Sequence, residues 1–315
     1  VLEDLRSERQ ETILALGRNL IRARGADLKI GVTLSLEEAL DGADFVITCF
    51  RVGGRQALQL DVSIPAKYEI YGDETAGPGG IFFALRTAPV VVDIAKRMEK
   101  LCPQAYMINY ANPTAFVADA VRRTSQIEEL SLCSGGMGVP QMVAEYLGHR
   151  AEDVVHFQAG VNHFTWLLKA YVRGKDVAPD LVRKLAELDT SDADWGWQRF
   201  VEIIRTYRCV PIPGSHMVDY LFRSDRVARQ KVVKHWGLAD PGRAGAQVWA
   251  HYEELAKAED PQFDMSIAGM HQYVGSVSDL AVSLIAAILG DRREIFTVNL
   301  PNIGQIANLP RGEIV

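Results

Sequence analysis

The chain has 315 residues, 48% of them hydrophobic, and a mean hydropathy of −0.01, which describes a globular protein long enough for two domains. A formal net charge of −6 with scattered Lys and Arg argues against nucleic acid as the main partner, and no uninterrupted run of about 18 apolar residues suggests a membrane span. The four cysteines, Cys49, Cys102, Cys133 and Cys209, form no CxxC pair, which excludes a disulfide framework and leads us to expect a reducing, cytoplasmic setting.

Val1 to Leu5 reads as the end of a strand running into a helix over 8–23, followed by a short strand at Leu28 to Val32. Ser35 is placed to cap the next helix, with Glu37 and Glu38 in its first turn. The apolar run from Ala43 to Phe50 reads as a buried strand ending in Arg51-Val52-Gly53-Gly54-Arg55. Continuous apolar strands alternating with helices predict a parallel sheet covered on both faces. Such sheets bind ligands beyond the carboxyl ends of their strands, where Arg51 to Arg55 falls.

Tyr71 to Gly80 is too rich in Gly and Pro for regular structure and is expected to form a loop on the same rim. Next come a helix over Ile81 to Leu101, a strand over Ala105 to Tyr110 ending at Asn112-Pro113, and a helix over Thr114 to Arg122. A strand at Leu130 to Cys133 and a helix at Gln141 to Leu147 complete the alternation. After Gly148 the pattern changes. Val154 to Gly160 and Trp166 to Val172 read as strands of a second, mixed sheet, and Ala178 to Leu289 as mostly amphipathic helix. The expected division is therefore 1–148, a Rossmann-like domain, and 149–315, a second mixed α/β domain rich in helices.

A Rossmann sheet opens with a strand, a GxGxxG turn and a helix, and its second strand ends in an acidic residue that binds ribose. This chain reads as if it begins at that second strand, with Asp4 in the ribose position and no GxGxxG anywhere. The expectation is an N-terminally truncated Rossmann domain or a different fold. The other end, Asn308 to Val315, stops in mid-pattern.

Two stretches carry candidate chemistry. Cys133 precedes a glycine-rich turn, and His163 lies further on between Asn162 and Phe164. A thiolate with an imidazole suits a borderline divalent ion, and two protein ligands leave the open positions a catalytic metal needs. A buried structural thiol and a core histidine are the competing readings. In Pro213 to Tyr220, His216, Asp219 and Tyr220 fall at i, i+3 and i+4, on one face of a helical turn. Each could act as a base; the competing reading is a polar helix start capped by Ser215.

Several stretches together resemble glycoside hydrolase family 4, the NAD- and metal-dependent glycosidases: DFVITCFRVGGR from Asp44, GPGGIFFALR from Gly77, INYANPT from Ile108, Leu132-Cys133, GVNHFTW from Gly160 and NLPNIGQIANLP from Asn299. They run in order across nearly the whole chain. The resemblance implies a chemistry unlike the two-carboxylate scheme of most glycosidases. In it NAD⁺ takes hydride from C3 of the sugar, a base removes the acidified C2 proton, and the C1 substituent is eliminated. Water then adds and the hydride is returned. A divalent metal, expected to be Mn²⁺, polarises the C2 and C3 oxygens.

By the same resemblance Cys133 and His163 are metal ligands, and Arg86, Asn112 and Asn162 are substrate contacts. Asp4, Arg51, Val52, Gly53 and Asn112 are cofactor contacts, and His216, Asp219 and Tyr220 are the catalytic group. The pattern around His216 is similar to the α-galactosidase and uronidase branch, so the expected substrate is a small-molecule α-galactoside, α-glucoside or uronide. The expected assembly is a homodimer or homotetramer. In many α-acting members the residue after the metal Cys is His or Asp and assists the leaving group; here it is Ser134, which leaves that acid unassigned. The alternatives are an NAD-dependent hydroxy-acid dehydrogenase, which needs no metal Cys, and an inactive NAD- or sugar-binding fragment.

Overall fold

A strand that is apolar on both faces needs a cover on each. Strand β3 (Phe45–Thr48) pairs in parallel with β4 (Tyr106–Asn109), and β4 with β5 (Glu128–Leu132), in a register that aligns Thr48, Asn109 and Ser131 across the three strands. A further strand, β10 (Val298–Asn299), closes the outer edge antiparallel to β5. The computed structural model describes residues 1–5, 7–68, 70, 72, 75, 77–222, 249–262 and 280–315. Successive side chains of a strand face opposite ways. Met107 accordingly packs with Val91, Ala95 and Met98 of α4 (Gly77–Leu101) and with Val117 and Val121 of α5 (Thr114–Thr124). Ile108 and Leu132 pack on the other face with Ala281 and Leu284 of α10 (Leu280–Leu289). This is the Rossmann-like parallel α/β sheet expected from the alternation.

β1 (Leu2–Glu3) and β2 (Val32–Thr33) pair in parallel, joined by α1 (Ser7–Arg24). The strand expected over Leu28 to Val32 is thus only two residues long, and among the described residues no ladder links this pair to β3. Ser35 caps α2 (Leu36–Leu40) as anticipated, accepting from the Glu38 amide at 3.2 Å. Two helical stretches were not anticipated. Gly54–Ala66 forms α3, and α4 begins at Gly77 rather than Ile81. At 25 residues α4 is long and apolar enough to cross a membrane by length and composition, although Arg86, Thr87 and Asp93 interrupt its apolar residues. Its Phe83, Val91, Ala95 and Met98 are core side chains, at 1% exposure or less.

Beyond α6 (Gly138–Leu147), strands β6 (Val154–Val161), β7 (Phe164–Val172), β8 (Lys175–Asp176) and β9 (Pro211–Ile212) build the second sheet. All its pairings among the described residues are antiparallel, where a mixed sheet was expected. Antiparallel strands need only tight turns, whereas a parallel pair would need a crossover, and the two-residue link from β6 to β7 allows none. Helices α7 (Ala178–Ala186) and α8 (Trp195–Tyr207) pack against it through Leu181, Leu185, Val201 and Ile204, and α9 (Gly214–Leu221) follows β9 directly. Because β10 returns to β5, residues beyond Gly148 contribute to both sheets.

Candidate active site

The carboxyl ends of β3, β4 and β5 point the same way, so the turns that follow them share one rim. Arg51 to Gly53 follows β3, Asn112-Pro113 follows β4 and Cys133 follows β5. Behind the rim lies a closed polar row. Thr48 Oγ1 donates to Asn109 Oδ1 at 2.7 Å, Asn109 Nδ2 donates to Ser131 Oγ at 2.9 Å, and the Ala111 amide donates to Asn109 Oδ1 at 2.9 Å. That last bond fixes the turn carrying Asn112, whose own Oδ1 accepts from Thr114 Oγ1 at 2.7 Å.

Cys133 Sγ accepts from the Gly135 amide at 3.4 Å and from the Asn162 side chain. Burial pushes the thiol pKa up, and these two donors pull it partly back. Asn162 and His163 form the two-residue connection between β6 and β7, closed by the Val161–Phe164 pair. Gly160 is required there, since a Cβ on it would lie 2.3 Å from the Phe164 carbonyl oxygen. His163 itself takes a φ of 60°, a region that glycine favours and that costs other residues free energy. Its Nδ1 lies 3.2 Å from Thr75 Oγ1. The hairpin also anchors α9. Thr165 Oγ1 donates to the Ile212 carbonyl at 2.8 Å, and Pro213 then opens the helix. A Cβ built on Gly135 would sit 3.2 Å from Pro213 Cδ and 3.5 Å from Cys133 Sγ, so α9 starts directly against the cysteine turn.

Cys133, Asn162, His163, Thr75 and the start of α9 are thereby gathered into one region. His216, Asp219 and Tyr220 belong to α9, but their side chains lie outside the described residues. The donor types fit a divalent ion: a thiol, an imidazole, and the carbonyl oxygen of Asn162, buried and without a partner among the described residues. Among the described residues no group of three or more His, Cys, Asp or Glu that could hold a metal occurs.

A second cluster surrounds Phe83 on α4. The Arg51 guanidinium stands 4.1 Å over its ring and that of Arg86 5.9 Å away. Arg86 pairs with Asp61 of α3, a carboxylate whose side chain is 3% exposed, and Gly53 packs beside the Arg86 side chain with a φ of 82°. The two clusters meet at the N-terminus of α4, where Gly80 packs against the Thr75 backbone. Asp4 follows β1, and its carbonyl accepts from Gln10 Nε2 at 3.2 Å, but no ladder ties β1 to β3 among the described residues. Sequence reasoning missed Asp61, because α3 was not recognised, and Thr75, because its partner is 88 residues away.

The chain matches the sequence profile described as "Family 4 glycosyl hydrolase" over residues 1–149 and that of the "Family 4 glycosyl hydrolase C-terminal domain" over 158–315. It is 31% identical to the probable 6-phospho-beta-glucosidase of Bacillus subtilis, over 96% of this chain and 69% of that protein. It is 30% identical to the alpha-galacturonidase of Thermoanaerobacter italicus, over 89% of this chain and 66% of that protein. The structure of the 6-phospho-beta-glucosidase of Thermotoga maritima with manganese, NAD⁺ and glucose-6-phosphate superposes with a TM-score of 0.82 and 25% identity, covering 99% of this chain and 71% of that one.

Proposed function

The chain belongs to family 4 of the glycosyl hydrolases, and from that premise we propose that it is an NAD- and divalent-metal-dependent glycosidase acting on an α-galactoside, α-glucoside or uronide. The observation that carries this reading is the meeting of Cys133, Asn162 and His163 with the start of α9. When bound, NAD⁺ supplies hydride abstraction at C3 of the sugar, and a divalent ion such as Mn²⁺ supplies Lewis-acid polarisation of the adjacent oxygens. Cys133 and His163 would hold the ion, with Asn162 turned toward both it and the sugar.

The residues around the rim divide the remaining work. Arg51, Val52, Gly53 and Asn112 would bind the dinucleotide at the ends of β3 and β4, and Asp4 would take its ribose. Arg86 and Asn112 would orient the sugar. His216, Asp219 and Tyr220 are spaced i, i+3 and i+4 along α9, and this group would remove the C2 proton. The same reading assigns residues 1–148 to the dinucleotide and 149–315 to substrate and metal, in a homodimer or homotetramer.

The decisive chemistry is breakage of the C2–H bond, which direct displacement at C1 never requires. The full-length protein with NAD⁺ and Mn²⁺ under reducing conditions should cleave an aryl α-glycoside in D₂O and release sugar carrying deuterium at C2. A parallel series of 6-phosphorylated glycosides tests the substrate class, and turnover of those alone would overturn the non-phosphorylated assignment. Hydrolysis without NAD⁺ and without deuterium at C2 would overturn the reaction itself.

A further inference from the structure

We propose that Thr75 is a positioning residue for His163: its hydroxyl accepts the Nδ1 proton and so leaves Nε2 as the nitrogen presented to the metal. This rests on the metal reading given above for Cys133 and His163. A neutral imidazole has one N–H and one lone pair, and the partner of one nitrogen decides which role the other takes. Thr75 Oγ1 lies 3.2 Å from Nδ1. If the hydroxyl donated there, the proton would sit on Nε2 and the ring could not ligate through it. With Nδ1–H as donor, Nε2 carries no proton and keeps the lone pair a metal ion needs.

Two features suit Thr75 to hold the ring rather than follow it. Thr75 is 7% exposed, and its backbone is boxed in by the first turn of α4, where a Cβ on Gly80 would come within 2.7 Å of the Thr75 carbonyl carbon. His163, in contrast, sits at a φ of 60° in a two-residue connection, a conformation that persists only where the surroundings enforce it. The neighbouring Asn162 is tied to Cys133, so the connection is held on both sides: the thiol through Asn162 and the ring through Thr75. Thr75 thus also links the metal cluster to the helix that carries Phe83 and Arg86.

The test is Mn²⁺ affinity of the full-length protein, measured by calorimetry without NAD⁺ or sugar. Thr75→Val keeps the shape and removes the acceptor, and should raise the Mn²⁺ Kd by about 10- to 100-fold, the usual effect of losing an outer-shell partner. Thr75→Ser keeps the acceptor and should stay close to wild type. In Cu²⁺-loaded protein, the electron spin-echo modulation from the remote imidazole nitrogen should change in Thr75→Val and return in Thr75→Ser, which a general loss of packing would not produce. Wild-type affinity and modulation in Thr75→Val, with affinity still lost in His163→Ala, would overturn the role of Thr75 alone. Unchanged affinity in both His163→Ala and Cys133→Ser would overturn the metal site and this proposal with it.

Discussion

Glu129 is a carboxylic acid in a place that suits a neutral group. It is 1% exposed on β5; Oε1 accepts from Ser131, while Oε2 is buried without a partner among the described residues. Burial pushes its pKa up to about 7, against the opposing pull of the Ser131 hydroxyl and the more distant Arg122. An acid whose folded pKa exceeds its unfolded value binds more protons folded than unfolded, so stability falls as pH rises between the two values. Here the cost is absent below about pH 4.5 and complete above about pH 7. A shift of that size corresponds to about 3 kcal/mol. Glu129→Gln should therefore gain about 3 kcal/mol relative to wild type on moving from pH 4.5 to pH 7.5, read from urea unfolding at both pH values. Parallel pH dependence in the two proteins would show that Glu129 ionises freely. Because Ser131 passes this bond on to Asn109 and the Ala111 amide, the same side chain helps set the Asn112 turn.

Among the elements, the α3–α4 pair shows what the sequence could and could not convey. The strands β3 to β5 and the helices α2 and α5 were legible because each carries its own signal, an apolar run or a cap at the right spacing. Cys133 and His163 were legible as residue types, and their neighbourhood was not. α3 escaped because Pro65 lies within its last turn and two glycines precede its first side chains, both breaker signals. The start of α4 escaped for a related reason: Gly77-Pro78-Gly79-Gly80 looks like a loop, yet proline is tolerated in a first helical turn. Gly80 is there because Thr75 leaves no room for a Cβ. Strands β9 and β10 are two residues each and arise from tertiary pairing alone. Asp61 was lost along with α3, although it is the buried partner of Arg86. Removing one member of such a pair leaves a charge uncompensated. Asp61→Ala should cost about 3 kcal/mol, the low end of the usual range because the Arg86 side chain is 31% exposed. The Asp61→Ala, Arg86→Ala double variant should recover part of that loss in a thermodynamic cycle, and strictly additive effects would mean the pair is not coupled.

At the scale of the whole molecule, returning segments tie the chain together. β10 completes the first sheet, and Asn299 Nδ2 donates to the Ser131 carbonyl at 3.0 Å in a buried position. One face of that sheet is covered by α10, through Ala281 and Leu284 on Ile108 and Leu132. On α1, Asn19 Nδ2 donates to the carbonyls of Ala256 and Ala258 at 3.0 and 2.8 Å, and Arg9 stands 5.0 Å over the Trp249 ring. Residues 1–148 alone would leave β5 an open edge and strip the cover from an apolar face, a combination that invites association rather than folding. A protein ending at Gly148 should therefore bind a hydrophobic dye strongly and unfold without a sharp transition. Supplying residues 280–315 through a flexible linker should restore β10 and α10 to their places and sharpen the unfolding. A cooperative, dye-free transition in 1–148 by itself would show that the first sheet is stable without the returning segment, and that α10 and β10 serve the site rather than the fold.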